Sequence, residues 1–277
     1  MACGFSSQSQ ELSIDAKIGG KGSFKKTKRV YIAAFDISQY IQTSQSSTAG
    51  GGSAFAKMTV NFGGVDGNAY QAMVGEVYNS AVKKLSSLGY EIVGSEEAKS
   101  KLKEPETFEE VSKPEKMISG TVTGVIVRPK NVVLSPGTGM FFANHYPKVA
   151  KALEANTLYI MMAVNTVDYG KSGRFTNKAK VNASPGLTVT GWMGAASFDG
   201  KGTAQVFPKP YLRNESDDWV GTNGIYETSK NDMPWLGSSK GKYTLEINET
   251  KYLAATKELL EKMILASIDA YHRELND

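Results

Sequence analysis

The sequence predicts a mixed α/β fold, with α+β as the alternative, in which a mixed sheet packs against a long crossover helix. Three features predict it: a near-continuous apolar segment at 29–37, helical spacing of apolar residues from Ala69 to Leu88, and an amphipathic segment at 251–275. Buried strands consist of continuous apolar residues, whereas amphipathic helices repeat them every three or four positions. Because 277 residues approach the upper size of one hydrophobic core, we predict a single domain at 29–277.

The first part of this domain is expected to be a strand–helix–strand unit. Residues 29–37 form its first strand, Asp66 caps the following helix, and Gly89 ends that helix before a strand at 90–93. A parallel, right-handed crossover is the expected geometry. The intervening stretch 42–67 is rich in Ser, Thr, Gln and Gly, so we interpret it as an insertion.

The second part alternates strands and helices around two further insertions, at 103–135 and 208–241. Apolar alternation and turn residues predict a β-hairpin around Asp199 to Gly202 and a terminal amphipathic helix capped by Asn248 or Thr250. The other predicted elements are a short strand at Phe55 to Phe62, strands at Met117 to Val127, 158–167 and Tyr243 to Ile247, a helix at Phe141 to Ala155, and Val132 to Leu134 as a candidate partner of the Met117 strand.

Residues 1–28 are polar and rich in Gly and Lys, which is typical of a flexible tether or linker. The net charge of +4 is too small for the electrostatic footprint of a nucleic-acid-binding protein. A basic cluster without an interleaved aromatic ladder precedes the first strand, and we interpret it as a solvated linker, with a phosphate-contact patch as the alternative. Its residues are Lys21, Lys25, Lys26, Lys28 and Arg29. We therefore expect no nucleic-acid partner.

The single cysteine, Cys3, lies between Ala2 and Gly4 and is followed by a polar Ser/Gln stretch. This arrangement resembles the end of a bacterial lipoprotein signal, in which the cysteine carries the lipid. The leucine usual three residues before such a cysteine has no position to occupy here. The alternative is a cytosolic protein in which Cys3 is an unmodified thiol. One cysteine also excludes an intrachain disulfide.

The sequence contains no recognisable catalytic or metal-binding motif. Its two histidines, His145 and His272, lie in separate predicted helices, and Cys3 lies far from both. A zinc site of the Cys/His type needs several such ligands, and a Cys–His nucleophile pair needs them close together. We predict no enzyme activity, no metal and no cofactor.

A loop rich in tryptophan and acidic residues is the one candidate ligand site. Loop tryptophans with nearby carboxylates are compatible with carbohydrate binding or cleavage. The structural alternative is that the tryptophans cover the edge of the core while the acids face solvent. The residues of this loop, within 208–236, are Glu215, Asp217, Asp218, Trp219, Asp232 and Trp235.

The order of elements resembles the curli-secretion lipoprotein (CsgG) and TolB-N-terminal-like modules. The matching motifs are the strand Val30 to Phe35, the helix-to-strand segment Leu85 to Val93, the segment Ala152 to Ile160, the turn Asp199 to Gly202 and the final helix at 251–275. The arginine usual after the second strand is absent, since Gly94 and Ser95 stand there, and the insertions are large. The resemblance implies this fold and a role in envelope assembly.

These observations favour a non-enzymatic, lipid-anchored envelope protein at the periplasmic face of the bacterial outer membrane. It would act as a subunit of a secretion, motility or surface assembly, with other protein subunits as partners and homo-oligomerisation expected. Two alternatives remain open. One is a carbohydrate-binding or carbohydrate-cleaving protein that uses the 208–236 loop, and the other is a cytosolic α/β binding protein.

Overall fold

A mixed β-sheet of twelve strands forms the centre of the molecule in the computed structural model. Helices pack on it, which confirms the predicted mixed α/β class with its terminal helix. The structure describes residues 12–49, 54–117, 121–137, 142–172, 179–209, 211–233 and 238–277.

The strands of the described chain include several that are much longer than the five or six residues usual in globular proteins. The longest, at 20 residues, is the second. In chain order they are β1 Ser13–Gly19, β2 Arg29–Thr48, β3 Phe55–Phe62, β4 Glu91–Ile92, β5 Glu106–Thr107, β6 Glu115–Lys116, β7 Val122–Val127, β8 Val133–Leu134, β9 Asn156–Ser172, β10 Lys180–Ala196, β11 Thr203–Lys209, β12 Leu212–Arg213, β13 Val220–Met233 and β14 Ser238–Ile247.

The main path through the sheet follows the order β1-β11-β10-β9-β2-β3-β14-β13. β2 pairs in parallel with β9 and β4, and antiparallel with β3 and β7. β14 pairs in parallel with β3, whereas β9–β10, β10–β11 and β13–β14 are antiparallel hairpins. The parallel β2–β4 pair is joined by a long helix, as the strand–helix–strand prediction required.

Two long helices cover one face of the sheet, because their apolar stripes match the buried strands. The second helix is capped by Asp66, whose carboxylate accepts from Asn68 N at 3.2 Å, and the fifth by Asn248, whose Oδ1 accepts from Lys251 N at 3.2 Å. Gly89 ends the second helix with φ 83°. The helices are α1 Lys21–Phe24, α2 Gly67–Ser87, α3 Ser95–Lys101, α4 Phe142–Leu153 and α5 Glu249–Asn276.

The core is divided between the two faces of the sheet. The larger cluster joins α2 and α5 to inward-facing residues of β2, β9, β10 and β11, including Phe35, Val77 and Leu260. The smaller cluster joins α4 to the opposite face through Tyr146 and Tyr159, whose rings stack at 4.1 Å between centroids. The first half of β2 is therefore buried on both faces, as its continuous apolar sequence predicted.

The predicted linker at 1–28 is wrong for the part that the structure describes. Residues 13–19 form an edge strand that pairs with β11, and the following short helix places Phe24 in the core at 1% exposure. The Phe24 ring packs edge-on against Tyr271 of α5. Leu12, Ile14, Ala16 and Ile18 alternate with polar residues and pack half-buried against the core, and the pairing partner β11 lies nearly 190 residues away.

Two of the predicted insertions are instead strands of the sheet. Residues 42–67 continue β2 and supply β3, whose bounds match the predicted short strand, and residues 208–241 contain β13. β13 lacks apolar alternation because much of its surface faces solvent, whereas β3 alternates from Ala56 to Phe62. The insertion at 103–135 holds only short strands apart from β7, and Val133–Leu134 pairs with Glu106–Thr107 rather than with β7.

Candidate functional site

Three hairpins extend from the same end of the sheet. β2 and β9 run in parallel, as do β3 and β14, and each forms one strand of an antiparallel hairpin. The end of β2, the end of β9 and the end of β13 therefore lie at one end of the sheet. We call the described parts of the segments 42–62, 165–187 and 225–245 the distal hairpins.

The distal hairpins lie beyond the level at which α5 begins. Tyr252, in the first turn of α5, donates its hydroxyl to Gln39 Oε1 at 2.5 Å. From there α5 runs away from the distal hairpins, since its far end packs Tyr271 against Phe24. Gln39 pairs with Val164 at the last position of the β2–β9 ladder. The strands thus continue past the start of this helix.

Small side chains hold two of the distal hairpins against each other. Ala49, Ala54 and Ala56 of the first form a buried cluster with Ala179, which immediately precedes strand β10 of the second. The Tyr169 hydroxyl also donates to the carbonyl oxygen of Thr43 at 2.8 Å. Small alanine side chains let the two hairpins, which belong to the same sheet, pack closely on each other, so neither is an isolated ribbon.

The outer strand of the third distal hairpin, β13, is polar and solvated. Residues 226–231 are all exposed, and because successive strand residues point to opposite faces, both faces of β13 meet solvent. β13 is also the last strand on its side of the sheet path. An edge strand presents backbone N–H and C=O groups that can pair with another chain. Tyr226, 42% exposed, is a large apolar side chain on this strand.

The tryptophan and acid loop divides between core and surface. Trp219 is fully buried, with its ring 5.9 Å from that of Tyr252, so it offers no face to a ligand. Its carbonyl accepts from Asn248 N at 2.8 Å, which fixes the start of α5. Glu215, Asp217 and Asp218 are exposed on the preceding turn. This arrangement matches the structural alternative for Trp219.

The remaining predicted site residues are not fully described. Asp232 lies in β13 opposite Ser239, but the structure does not describe its side chain. Trp235 and Cys3 both fall outside the described residues, so the lipidation site and half of the carbohydrate hypothesis stay predictions. None of the helices in the described chain combines the length and apolar composition needed to span a membrane.

Ser135 and His145 come together without forming a nucleophile–base pair. His145 Nε2 lies 2.9 Å from the carbonyl oxygen of Ser135 and 3.0 Å from its hydroxyl. Since a carbonyl oxygen only accepts, this geometry places the proton on Nε2 and leaves no lone pair there to act as a base. His272 lies elsewhere, on α5, where its ring contacts the Tyr90 hydroxyl.

Metal-binding clusters of three or more His, Cys, Asp or Glu side chains do not occur within the described ranges. The distal hairpins are the candidate site, because they present the edge strand β13 to solvent. Two patterns in the sequence indicate parts of it: the alternation from Ala54 to Phe62 and the predicted strand at Tyr243 to Ile247. Strand β13 has no such pattern, because exposure of residues 226–231 on both faces removes the need for apolar residues.

No protein-family model, curated protein or solved structure matches the chain. The resemblance to CsgG and TolB-N-terminal-like modules therefore stays a prediction from the order of elements.

Proposed function

We propose that the protein is a non-enzymatic, lipid-anchored subunit of a bacterial envelope assembly and that it contacts neighbouring subunits through its distal hairpins. The observation that carries this proposal is the extension of three hairpins from one end of the sheet, with the solvated strand β13 at its edge. Secretion, motility and surface assemblies are the classes of structure that such a subunit would serve.

An edge strand of 14 residues is long enough to support intermolecular pairing. Natural proteins usually shield such edges by shortening them, bending them or placing charges on them. β13 carries Glu227 and Lys230 and has register shifts next to Gly224 and Thr228, so its pairing would be selective. Partner subunits with a complementary edge, including further copies of this chain, fit this surface.

The membrane anchor rests on Cys3 and the polar stretch that follows it. Several acyl chains on one cysteine would hold the protein firmly, because each buried methylene contributes about 0.8 kcal/mol. In that arrangement the protein would remain at the membrane surface, on the periplasmic side of the outer membrane.

Site-specific photo-crosslinking in the native host tests the contact surface. A photoreactive phenylalanine replaces Tyr226 on β13, and the matched control replaces Tyr211, which is 48% exposed but lies next to β12. We expect discrete cross-linked products from position 226 and few from 211. Equal products from both positions, or none from 226, would count against contact through β13.

Intact mass and detergent partitioning test the anchor separately. The protein is expressed from its full native gene in its own host. A mass excess that matches acyl chains on Cys3, with partition into detergent, is the expected result. An unmodified protein in the aqueous phase would overturn the anchor and the envelope role.

A further inference from the structure

Strand β13 begins with an irregular bulge. Residues 221–224 stand opposite a single residue of β14, Glu246, between two regular parts of the β13–β14 ladder. Extra residues on one strand interrupt the ladder and bend the strand. Gly224 has φ 57°, a left-handed conformation that glycine adopts most readily. Asn223, directly before it, is exposed to solvent. The bulge is therefore a water-accessible part of the edge strand in which an asparagine precedes a glycine.

The chemistry of an Asn-Gly pair follows from the small size of glycine. The main-chain nitrogen that follows an asparagine can reach the side-chain Cγ and close a cyclic imide. A side chain on the following residue hinders this approach, whereas glycine has no Cβ and the freest main chain. Asn223 precedes Gly224, and each of the other asparagines in the sequence precedes a residue that has a side chain. Position 223 is therefore where this reaction meets the least steric hindrance.

We propose that Asn223 is a site of spontaneous deamidation in which Gly224 supplies the nucleophile. The Gly224 nitrogen attacks Asn223 Cγ and forms a bond to it. The Cγ–Nδ2 bond breaks, and ammonia leaves with the proton from the Gly224 N–H. Water then opens the cyclic imide at either of its carbonyl groups, which yields aspartate or isoaspartate. Water is the only co-reactant and nothing is oxidised or reduced, so the reaction requires neither the anchor nor contacts through β13.

The position of Glu246 gives the modification a structural consequence. Glu246 Oε2 accepts from Asn223 Nδ2 at 2.5 Å and from Asn223 N at 3.3 Å. Deamidation replaces the Nδ2 donor with a carboxylate oxygen, which only accepts. Two like charges then face each other, and this arrangement is unfavourable. Isoaspartate also lengthens the main chain of the bulge by one carbon atom. The modification therefore separates Asn223 from Glu246 and changes the start of the edge strand.

Incubation of the purified full chain at mildly alkaline pH tests the proposal, because the Gly224 nitrogen then loses its proton more readily. Peptide mapping by mass spectrometry is expected to show a time-dependent mass gain at position 223, from the replacement of NH₂ by OH, and a separate isoaspartate peptide. Asn131 is the internal control, since it is exposed in a turn but precedes the β-branched Val132. It should keep its amide over the same period.

Gly224→Asn is the matched variant, because asparagine tolerates the left-handed conformation. A Cβ atom at position 224 meets Val220 Cγ1 at 3.9 Å, an ordinary contact, so the fold should be kept. This variant is expected to lose the conversion at Asn223.

Amide NMR shifts report the consequence in the folded protein. The aged wild type and freshly prepared Asn223→Asp are expected to shift the amides of Gly221 and Ile225 relative to the fresh wild type. The proposal is overturned if Asn223 keeps its amide, if Asn131 converts as fast as Asn223, or if Gly224→Asn converts at position 223 like the wild type. Unshifted amides in Asn223→Asp would overturn the structural consequence.

Discussion

Arg128 and Asp36 form a two-point ion pair between the segment after β7 and the middle of β2. Arg128 Nε lies 2.6 Å from Asp36 Oδ1, and Nη2 lies 3.1 Å from Oδ2. Both side chains are only 15% exposed, and the guanidinium lies 4.4 Å from the centre of the Phe108 ring. Gln71 of α2 donates to the Arg128 carbonyl at 3.2 Å. This one residue therefore joins β2, α2 and the 103–135 segment.

Breaking this ion pair is expected to destabilise the protein more than any surface pair. Asp36→Asn leaves the Arg128 charge largely buried without its partner, so we expect a loss of about 3 kcal/mol in the free energy of unfolding. The control is Asp15→Asn, since Asp15 lies 3.9 Å from Lys17 and Lys209 on the surface; it should change stability by less than about 1 kcal/mol. Urea titrations of both variants measure this, and equal losses would contradict the prediction.

The hydrogen bond from Tyr252 to Gln39 should be separable from aromatic packing. Tyr252→Phe keeps the ring but leaves the buried Gln39 oxygen without that donor, at an expected cost of about 1–3 kcal/mol. Tyr271→Phe removes a buried hydroxyl without a partner in the described chain, so it should be neutral or stabilising. Parallel denaturant titrations compare the two. A larger loss from Tyr271→Phe would show that the hydroxyl assignments are wrong.

The buried position of Trp219 also has a measurable consequence. Trp219→Ala removes a fully buried ring that packs on Tyr252, so we expect a loss of about 3–5 kcal/mol. Tyr226→Ala, at 42% exposure, should change stability by less than about 0.5 kcal/mol. If Trp219→Ala were as stable as the wild type and lost the ability to bind a sugar, the carbohydrate hypothesis would be favoured instead.

The elements that could be predicted are those whose secondary structure is specified by residues close by in the sequence. The strand at 29–37, α2 and α5 have apolar residues at the spacing that burial requires, and Asp66 and Asn248 are local caps. The edge strand β1 was missed although Leu12, Ile14, Ala16 and Ile18 alternate with polar residues, because the polar, Gly- and Lys-rich composition of 1–28 favoured a linker. Its pairing partner β11 lies nearly 190 residues further along the chain.

The candidate site was harder to predict for the same reason. Residues 226–231 are exposed on both faces, so their sequence resembles a loop. The burial of Trp219 depends on its packing against Tyr252 of α5, a residue from a separate element. Such sites become visible only when long-range pairing is known.

Asp199 gives the protein a local acid-sensitive turn. The hydrogen bond from Ser197 Oγ at 2.7 Å, with a further one from Lys201 N, lowers the pKa of Asp199 from 3.8 to about 2. A lowered folded-state pKa adds stability above pH 3.8, and that stability is lost as the pH falls towards 2. The stability difference between wild type and Asp199→Asn should therefore shrink across this window.

Carboxyl NMR titration checks the same group directly. Ser197→Ala removes the strongest of these hydrogen bonds and should raise the pKa of Asp199 towards its ordinary value. An Asp199 that titrates near 3.8 in the wild type would contradict this account of the turn.

Gly194 leaves room for the Tyr159 ring, which a side chain at position 194 would overlap. A Cβ atom at Gly194 would overlap the Tyr159 ring, and that ring is held by stacking on Tyr146. Gly194→Ala should therefore lower stability by about 1–3 kcal/mol, the usual cost of overpacking. Gly75→Ala is the matched control because a Cβ there meets open space on α2, and the helix should gain up to about 1 kcal/mol. Opposite signs in urea titrations are the expected result, whereas a stabilising Gly194→Ala would mean that Tyr159 can move away from the sheet.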